Sequence, residues 1–397
     1  MRVTQSLNQS NFLAALSTLE SNLSQTQNQI STNLSFTTPS QNPVAAGTVN
    51  NYNQALSQSQ QYDTNANSAQ TRLGTEDNAM SQVQTALQSL RDLALQANSG
   101  ALSSQDRAGI AAQATQIQAT LVSLANTQDG NGEYIFGGFA TQTVPFSLSA
   151  TGAVYHGDQG QRQVQIAAGQ TIPDGDNGDA VFNQIKTGNG TFTATAGPNN
   201  TGSGVVGAST VSNAAAYDGG TYAVNFTGAN TYEVRDSNNA LVTSGTYTDG
   251  QSIAFRGVQV TLSGQPAAGD TFSVAPSTNQ SIFTTVQNLI TTLQSGSSTA
   301  GTSAPLSNSL NEAINNIDQA LSQSSTVRAG IGGRLNSITT QLSVSSSQQI
   351  QLQSSISSLQ SLDYASAITK LDQENVGMSA AMQAYTLTQG LSLFKYI

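Results

Sequence analysis

The chain has 397 residues, only 9% of them charged, and 12 basic against 22 acidic residues give a formal net charge of −10. Lys186, Lys370 and Lys395 are the only lysines, so no basic stripe exists to neutralise nucleic-acid phosphates or an anionic membrane. The absence of cysteine removes disulfides, thiolate metal sites and cysteine nucleophiles. A chain of this length suggests roughly two or three domains. Its Ser-, Thr-, Asn- and Gln-rich surface carries little self-repulsion, which suits close packing of parallel copies.

Met1 to Leu7 lacks the apolar block of ~7–15 residues that a secretory signal needs, and no run reaches the ~18 apolar residues of a membrane span. Export, if it occurs, is expected to proceed without a cleaved signal. Phe12, Leu16, Leu19, Leu23 and Ile30 keep one stripe along a helix. Pro39 and Pro43 then mark a loop from Ser35 to Pro43, because proline removes a donor and turns the preceding residue away from helix. Helix is expected from Val44 to Leu73, again from Thr75 to Asn98, and once more from Ser103 with Ile110, Ile117, Leu121 and Leu124 in register.

After Asp129-Gly130-Asn131-Gly132 the period changes to alternation, and from about Tyr134 to Val274 the chain reads as strands bounded by Gly, Asp, Asn and Pro turns. This region is one β domain or two small ones. Helix returns near Ser281 with Ile282, Val286, Leu289 and Leu293, and then runs from Pro305 to the end with polar interruptions. Leu335, Ile338, Leu342, Leu352, Ile356 and Leu359 share a stripe, which slips in phase near Asp363 before Ile368, Leu371, Met378, Met382 and Tyr385.

Burying stripes at both ends is simplest if the ends meet. The predicted class is therefore α+β and multidomain, with the N- and C-terminal helices packed as a coiled coil or helical bundle and a central all-β insert. The predicted partition is 1–45 with 350–397 as a terminal coiled-coil domain, 46–140 with 285–349 as a helical bundle, and 141–284 as a β-rich outer domain. The candidate partner-binding seam is Leu16, Leu19, Leu23, Ile30, Leu352, Ile356, Leu359, Leu371, Met378 and Met382.

Chemistry-bearing motifs are thin. His156 is the single histidine, so one chain has no two-histidine metal site, and it reads as a turn residue after a strand. Gly202-Ser203-Gly204-Val205-Val206-Gly207 has the letters of a dinucleotide fingerprint, but it follows Gly197-Pro198-Asn199-Asn200 rather than a strand. Asp174-Gly175-Asp176-Asn177-Gly178-Asp179 hints at a calcium loop but has Gly178 and Ile185 where ligands are needed, so a turn is the better reading. No catalytic residue, cofactor or metal is predicted, and the chain is expected not to be an enzyme.

Gln29-Ile30-Ser31-Thr32 followed by Pro39-Ser40-Gln41-Asn42-Pro43-Val44-Ala45-Ala46, and Leu87 to Ala97 with Leu102 to Arg107, resemble the N-terminal region of the flagellin superfamily of bacterial axial proteins. Asp129 to Phe139, ending at Thr143-Val144-Pro145-Phe146, is similar to the hook–filament junction members of that family rather than to flagellin. Val327 to Asn336 resembles the family's returning helix, and Leu391 to Ile397 its C-terminus.

The resemblance implies a structural subunit of the external flagellum, exported unfolded through the flagellar type III apparatus and needed for filament assembly and motility. Its implied partners are other junction subunits in a ring or helical layer, the first hook-associated protein, flagellin and a flagellar export chaperone, with no nucleic acid and no membrane. Flagellin itself and a secreted adhesin-like structural protein are the alternative readings.

Overall fold

The computed structural model describes residues 2–99, 102–295 and 303–390. Leu391 to Ile397, which resemble the family's C-terminus, lie outside them. The helices are α1 (Arg2–Thr32), α2 (Pro43–Ala97), α3 (Ser104–Ala125), α4 (Ile282–Ser295), α5 (Ala304–Gln360) and α6 (Tyr364–Gly390), with fourteen strands between α3 and α4 among the described residues. The chain has two compact units, 1–64 with 341–397 and 65–340. Helices at both ends and an antiparallel β domain between them match the predicted α+β class.

The expected break at Gly74 does not occur, and α2 runs through it. A glycine in a helix interior costs about 1 kcal/mol, but here a continuous buried stripe offsets it: Ala66, Leu73, Met80, Leu87 and Ala94 recur every seventh residue and are all buried. Thr75 does not cap a new helix; its hydroxyl donates back to the Thr71 carbonyl at 3.0 Å. The phase slip near Asp363, by contrast, is a real interruption. Asp363 Oδ1 accepts from the backbone N–H of Ala365 (3.1 Å) and Ser366 (3.3 Å), which starts α6 as a fresh helix. Ser103 and Asp106 form a capping box at the head of α3.

Within residues 65–340, α2 and α5 run antiparallel, and a ladder of polar pairs sets their register. Arg328 donates to Asp77 (2.9 Å) and Gln84 (3.0 Å), Gln84 to Ser325 (3.1 Å), Arg91 to Asp318 (2.6 Å) and Asn98 to Asn311 (2.9 Å). Positions 77, 84, 91 and 98 are one heptad apart, as are 311, 318 and 325. Slipping the helices would therefore unmake every rung at once. The helices α3 and α4 pack against each other beside this pair.

The β region is not one sheet. The hairpins β1 (Phe146–Ser149) with β2 (Gly152–Tyr155) and β3 (Gln163–Ala167) with β4 (Gln170–Pro173) come first, and β5 (Ile185–Lys186) pairs with the distant β14 (Asn279–Gln280). Between them lies a sandwich. Its five-stranded sheet has the order β10 (Leu241–Thr246), β9 (Thr231–Asp236), β8 (Tyr222–Gly228), β13 (Thr271–Pro276) and β6 (Phe192–Ala196), and its three-stranded sheet β11 (Ser252–Phe255), β12 (Val258–Ser263) and β7 (Val205–Val211). One core fills the space between them, including Phe192, Val224, Phe226, Val260, Leu262 and Phe272. The dinucleotide-like letters run from the loop before β7 into the strand itself, and Asp270 accepts the backbone N–H of Thr201 and Gly202 at the loop end.

Candidate assembly seams

In the terminal unit, α1 packs against α6. The run is antiparallel: Phe12 stacks on Tyr385 with ring centroids 5.0 Å apart, and the Tyr364 hydroxyl donates to the Ile30 carbonyl at 3.1 Å. Between these ends, a Cβ added to Gly377 would sit in ordinary contact 3.7 Å from Leu19 Cδ2, so the two helices are close enough here for a methyl group to bridge them. Leu16, Leu19, Leu23, Ile30 and Leu371 are half-buried, Met378 is buried, and Met382 is 50% exposed.

Leu352, Ile356 and Leu359 are placed differently. They lie on α5, before the Asp363 break, and Ile356 joins Phe36, Ala45 and Val49 in a separate cluster flanked by Leu359, Tyr52 and Leu56. The loop after α1 is fastened there: Ser35 N–H donates to the Gln360 carbonyl at 2.8 Å, and Gln29 Nε2 donates to the Ser35 carbonyl at 2.6 Å. Seven of the ten candidate residues thus lie on α1 and α6, Ile356 and Leu359 belong to a smaller knot around Phe36, and Leu352 is half-buried one turn earlier on α5. One turn region further along α2, Ser59 and Ser345 share a buried hydrogen bond of 2.9 Å, and Gln349 donates to Asp63 at 2.7 Å.

The seam covers only one side of α6. Ile368 (49%), Val376 (69%) and Leu387 (70%) are exposed, as are Leu7 and Leu13 on α1. The charged residues are few, Arg2 and Glu20 on α1 and Lys370, Asp372 and Glu374 on α6.

The family-like run from Asp129 to Phe139 is spent inside the 65–340 unit. Asp129 accepts from Arg72 at 2.6 Å and from the backbone N–H of Asn131 and Glu133. Arg162 bridges Glu133 (2.9 Å) and Asp174 (2.5 Å), and Arg334 on α5 pairs with Asp176. Ile135 and Phe136 are buried, and Phe136 meets Phe182 edge to face at 5.1 Å. Gly138 has φ +70, and a Cβ there would collide with Asp158, whose Oδ1 accepts the N–H of Phe139 (3.0 Å) and Gly160 (2.7 Å). Asp174 and Asp176, read from sequence as turn residues, are therefore anchors of a partly buried ionic network. The sequence reading missed this network and the α2–α5 ladder, although the seven-residue recurrence of polar residues at 77, 84, 91 and 98 was a usable signal.

His156 is exposed at the end of β2, its Nε2 2.7 Å from Ser147 Oγ. Among the described residues no group of three or more metal-ligating side chains is arranged to hold an ion, and no helix is long and apolar enough to cross a membrane.

Residues 3–141 match the N-terminal helical region of bacterial flagellin, and residues 195–276 match the D2-like domain of flagellar hook-associated protein 1. The chain is 38% identical over 157 residues to flagellar hook-associated protein 3 of Salmonella typhimurium and 36% to that of Escherichia coli, covering 40% of this chain and 49% of each relative. It thus spans about half the length of the curated relatives it matches. Among solved structures, FlgL of Xanthomonas campestris is 37% identical with a TM-score of 0.69, over 77% of this chain and 99% of that one. The hook-associated protein 3 of Legionella pneumophila is 30% identical with a TM-score of 0.74, over 78% and 98%. With paired terminal helices, the Asp129 to Phe139 run and likeness to these structures over 77% and 78% of its length, the chain belongs to the FlgL family of flagellar hook-associated proteins.

Proposed function

We propose that this chain is the structural subunit that joins the hook-associated proteins to the flagellin filament, without catalytic activity. In this reading 1–45 with 350–397 form an inner tube, 46–140 with 285–349 a middle layer, and 141–284 the outer surface. Copies of the chain pack beside one another as a ring or helical layer, with the first hook-associated protein on one side and flagellin on the other. A flagellar export chaperone accompanies the unfolded subunit, and the assembled protein is extracellular.

The observation that carries this reading is the pairing of the chain ends, with Tyr364 hydrogen-bonded to Ile30 across 334 residues of sequence and apolar side chains left on the outer face of α6. A two-helix seam this lightly charged gains most from packing against further helices. Leu16, Leu19, Leu23, Ile30, Leu371, Met378 and Met382 are the proposed terminal seam, and Leu352, Ile356 and Leu359 fix the loop that sets its direction. Heterologous contacts of this kind close as a ring or continue as a helix according to the rotation per subunit.

Deleting the gene is expected to leave cells that bear hooks and shed flagellin into the medium. Intact filaments on such cells would overturn the junction assignment.

A further inference from the structure

The ionic network around Asp129 and Asp176 contains one acid too many. Glu76 sits on α2 in the same buried stripe as Val83, Leu90 and Ala97, and is 0% exposed. Its Oε1 accepts the backbone N–H of Asp176 at 3.2 Å, while Oε2 is buried with no hydrogen-bond partner. Asp176 and Arg334 act on it directly, and the ion pairs of the surrounding network come from Arg72 one turn earlier on α2, Asp129 and Glu133 from the loop after α3, Arg162 before β3, Asp174 and Asp176 after β4, and Arg334 on α5.

Each of the three guanidiniums already binds another carboxylate, although Arg72 Nε and Arg334 Nη1 are themselves buried without an acceptor. Arg72 binds Asp129 and Glu133, Arg162 binds Glu133 and Asp174, and Arg334 binds Asp176. Four carboxylates therefore already oppose three cations, and an ionised Glu76 would be a fifth with no counter-ion of its own. A buried charge without a partner takes up a proton instead. Burial pushes the Glu76 carboxyl well above its ordinary range, the Asp176 carboxylate pushes the same way, and Arg334 opposes them.

We propose that Glu76 is held as the neutral acid and works as a pH-sensitive latch, whose ionisation releases the 129–135 and 174–178 segments from α2 and α5. The neutral form places no charge on the unpartnered Oε2 beside the Asp176 carboxylate. Loss of the proton places a second carboxylate charge beside Asp176 in a site largely shielded from water.

The sign follows from the raised pKa. Stabilisation by the latch is complete below the ordinary carboxyl value of 4.5 and is lost as pH rises through the folded-state pKa. Between those two values the opened state has shed a proton that the closed state keeps, so the opening constant climbs up to about tenfold per pH unit and then levels off.

The test uses the full chain from pH 5 to 9. Hydrogen exchange corrected for intrinsic rates is expected to show opening at 129–135 and 174–178 that grows with pH in the wild type and stays flat in Glu76→Gln, which keeps the shape and cannot ionise. Carboxyl carbon NMR of the wild type, which needs no variant to fold, is expected to show Glu76 titrating well above 4.5. Titration of Glu76 in the ordinary range, or equal pH dependence in the two proteins, would overturn the proposal.

Discussion

Val376 separates packing inside the subunit from packing between subunits. It is 69% exposed on α6, on the side away from the seam formed by Leu371, Met378 and Tyr385. Burying a valine completely is worth about 1.5–2 kcal/mol, so assembly still has roughly 1–1.5 kcal/mol to gain at this side chain. Val376→Asp forfeits that gain and brings a carboxylate under a covering partner, which adds about 2 kcal/mol even with partial compensation. The sum of about 3 kcal/mol weakens association by roughly 100-fold.

In the isolated subunit the same change touches only solvent and is expected to cost within about 0.5 kcal/mol. Ile356→Asp is the contrasting variant: Ile356 is 8% exposed in the Phe36 cluster, and losing it is expected to cost the monomer at least about 2 kcal/mol. The assays are urea unfolding followed by circular dichroism for the subunit, and swimming with a count of filament-bearing hooks for the cell. Normal motility with Val376→Asp would refute the reasoning that this face is covered on assembly. A large shift in its urea midpoint would refute the statement that the face is free in the subunit.

Further outcomes follow from other positions. Gly377→Ala places its methyl 3.7 Å from Leu19 Cδ2, an ordinary contact. It should therefore raise helix stability by about 0.5–1 kcal/mol, whereas Gly377→Leu should separate α1 from α6 and lower the thermal midpoint; equal behaviour of the two variants would contradict the close approach. At Asp129 burial pushes the carboxyl up, but the N–H groups of Asn131 and Glu133 and the Arg72 guanidinium outweigh it and hold the group below its ordinary 3.8. That contribution is present above pH 3.8 and lost as pH falls through the depressed value. Asp129→Asn should therefore flatten the acid limb of the stability curve, and an unchanged limb would remove Asp129 from the network. Hydrogen exchange on the monomer should be fast across 1–45 and 350–397 relative to the sandwich core, because the seam side chains are only half-buried; slow exchange throughout both ends would refute it.

Local patterns were readable wherever periodicity and chain chemistry agreed. The stripe from Phe12 to Ile30 is a helix, the proline loop interrupts it, and the strands containing Val164, Val224, Val234 and Val260 all form. Gly74 misled because propensity is a local quantity, whereas the stripe that keeps α2 intact is satisfied by helices far away in sequence. Asp363 had the right signature, a change of phase, but phase alone does not distinguish a kink from a capped restart.

Other features depended on pairing between distant segments. Composition and period by themselves determined that the ends are amphipathic helices, that the middle is strands, and that the surface is nearly uncharged. The tertiary structure decided that α1 faces α6 while Ile356 faces Phe36, because a stripe specifies that a face is buried and not against which partner. It also decided that Asp129, Asp174, Asp176 and Glu76 share one enclosed cluster with three arginines. Charge pairing and desolvation depend on distance through space, and residues 76, 129, 176 and 334 become neighbours only once the chain has folded.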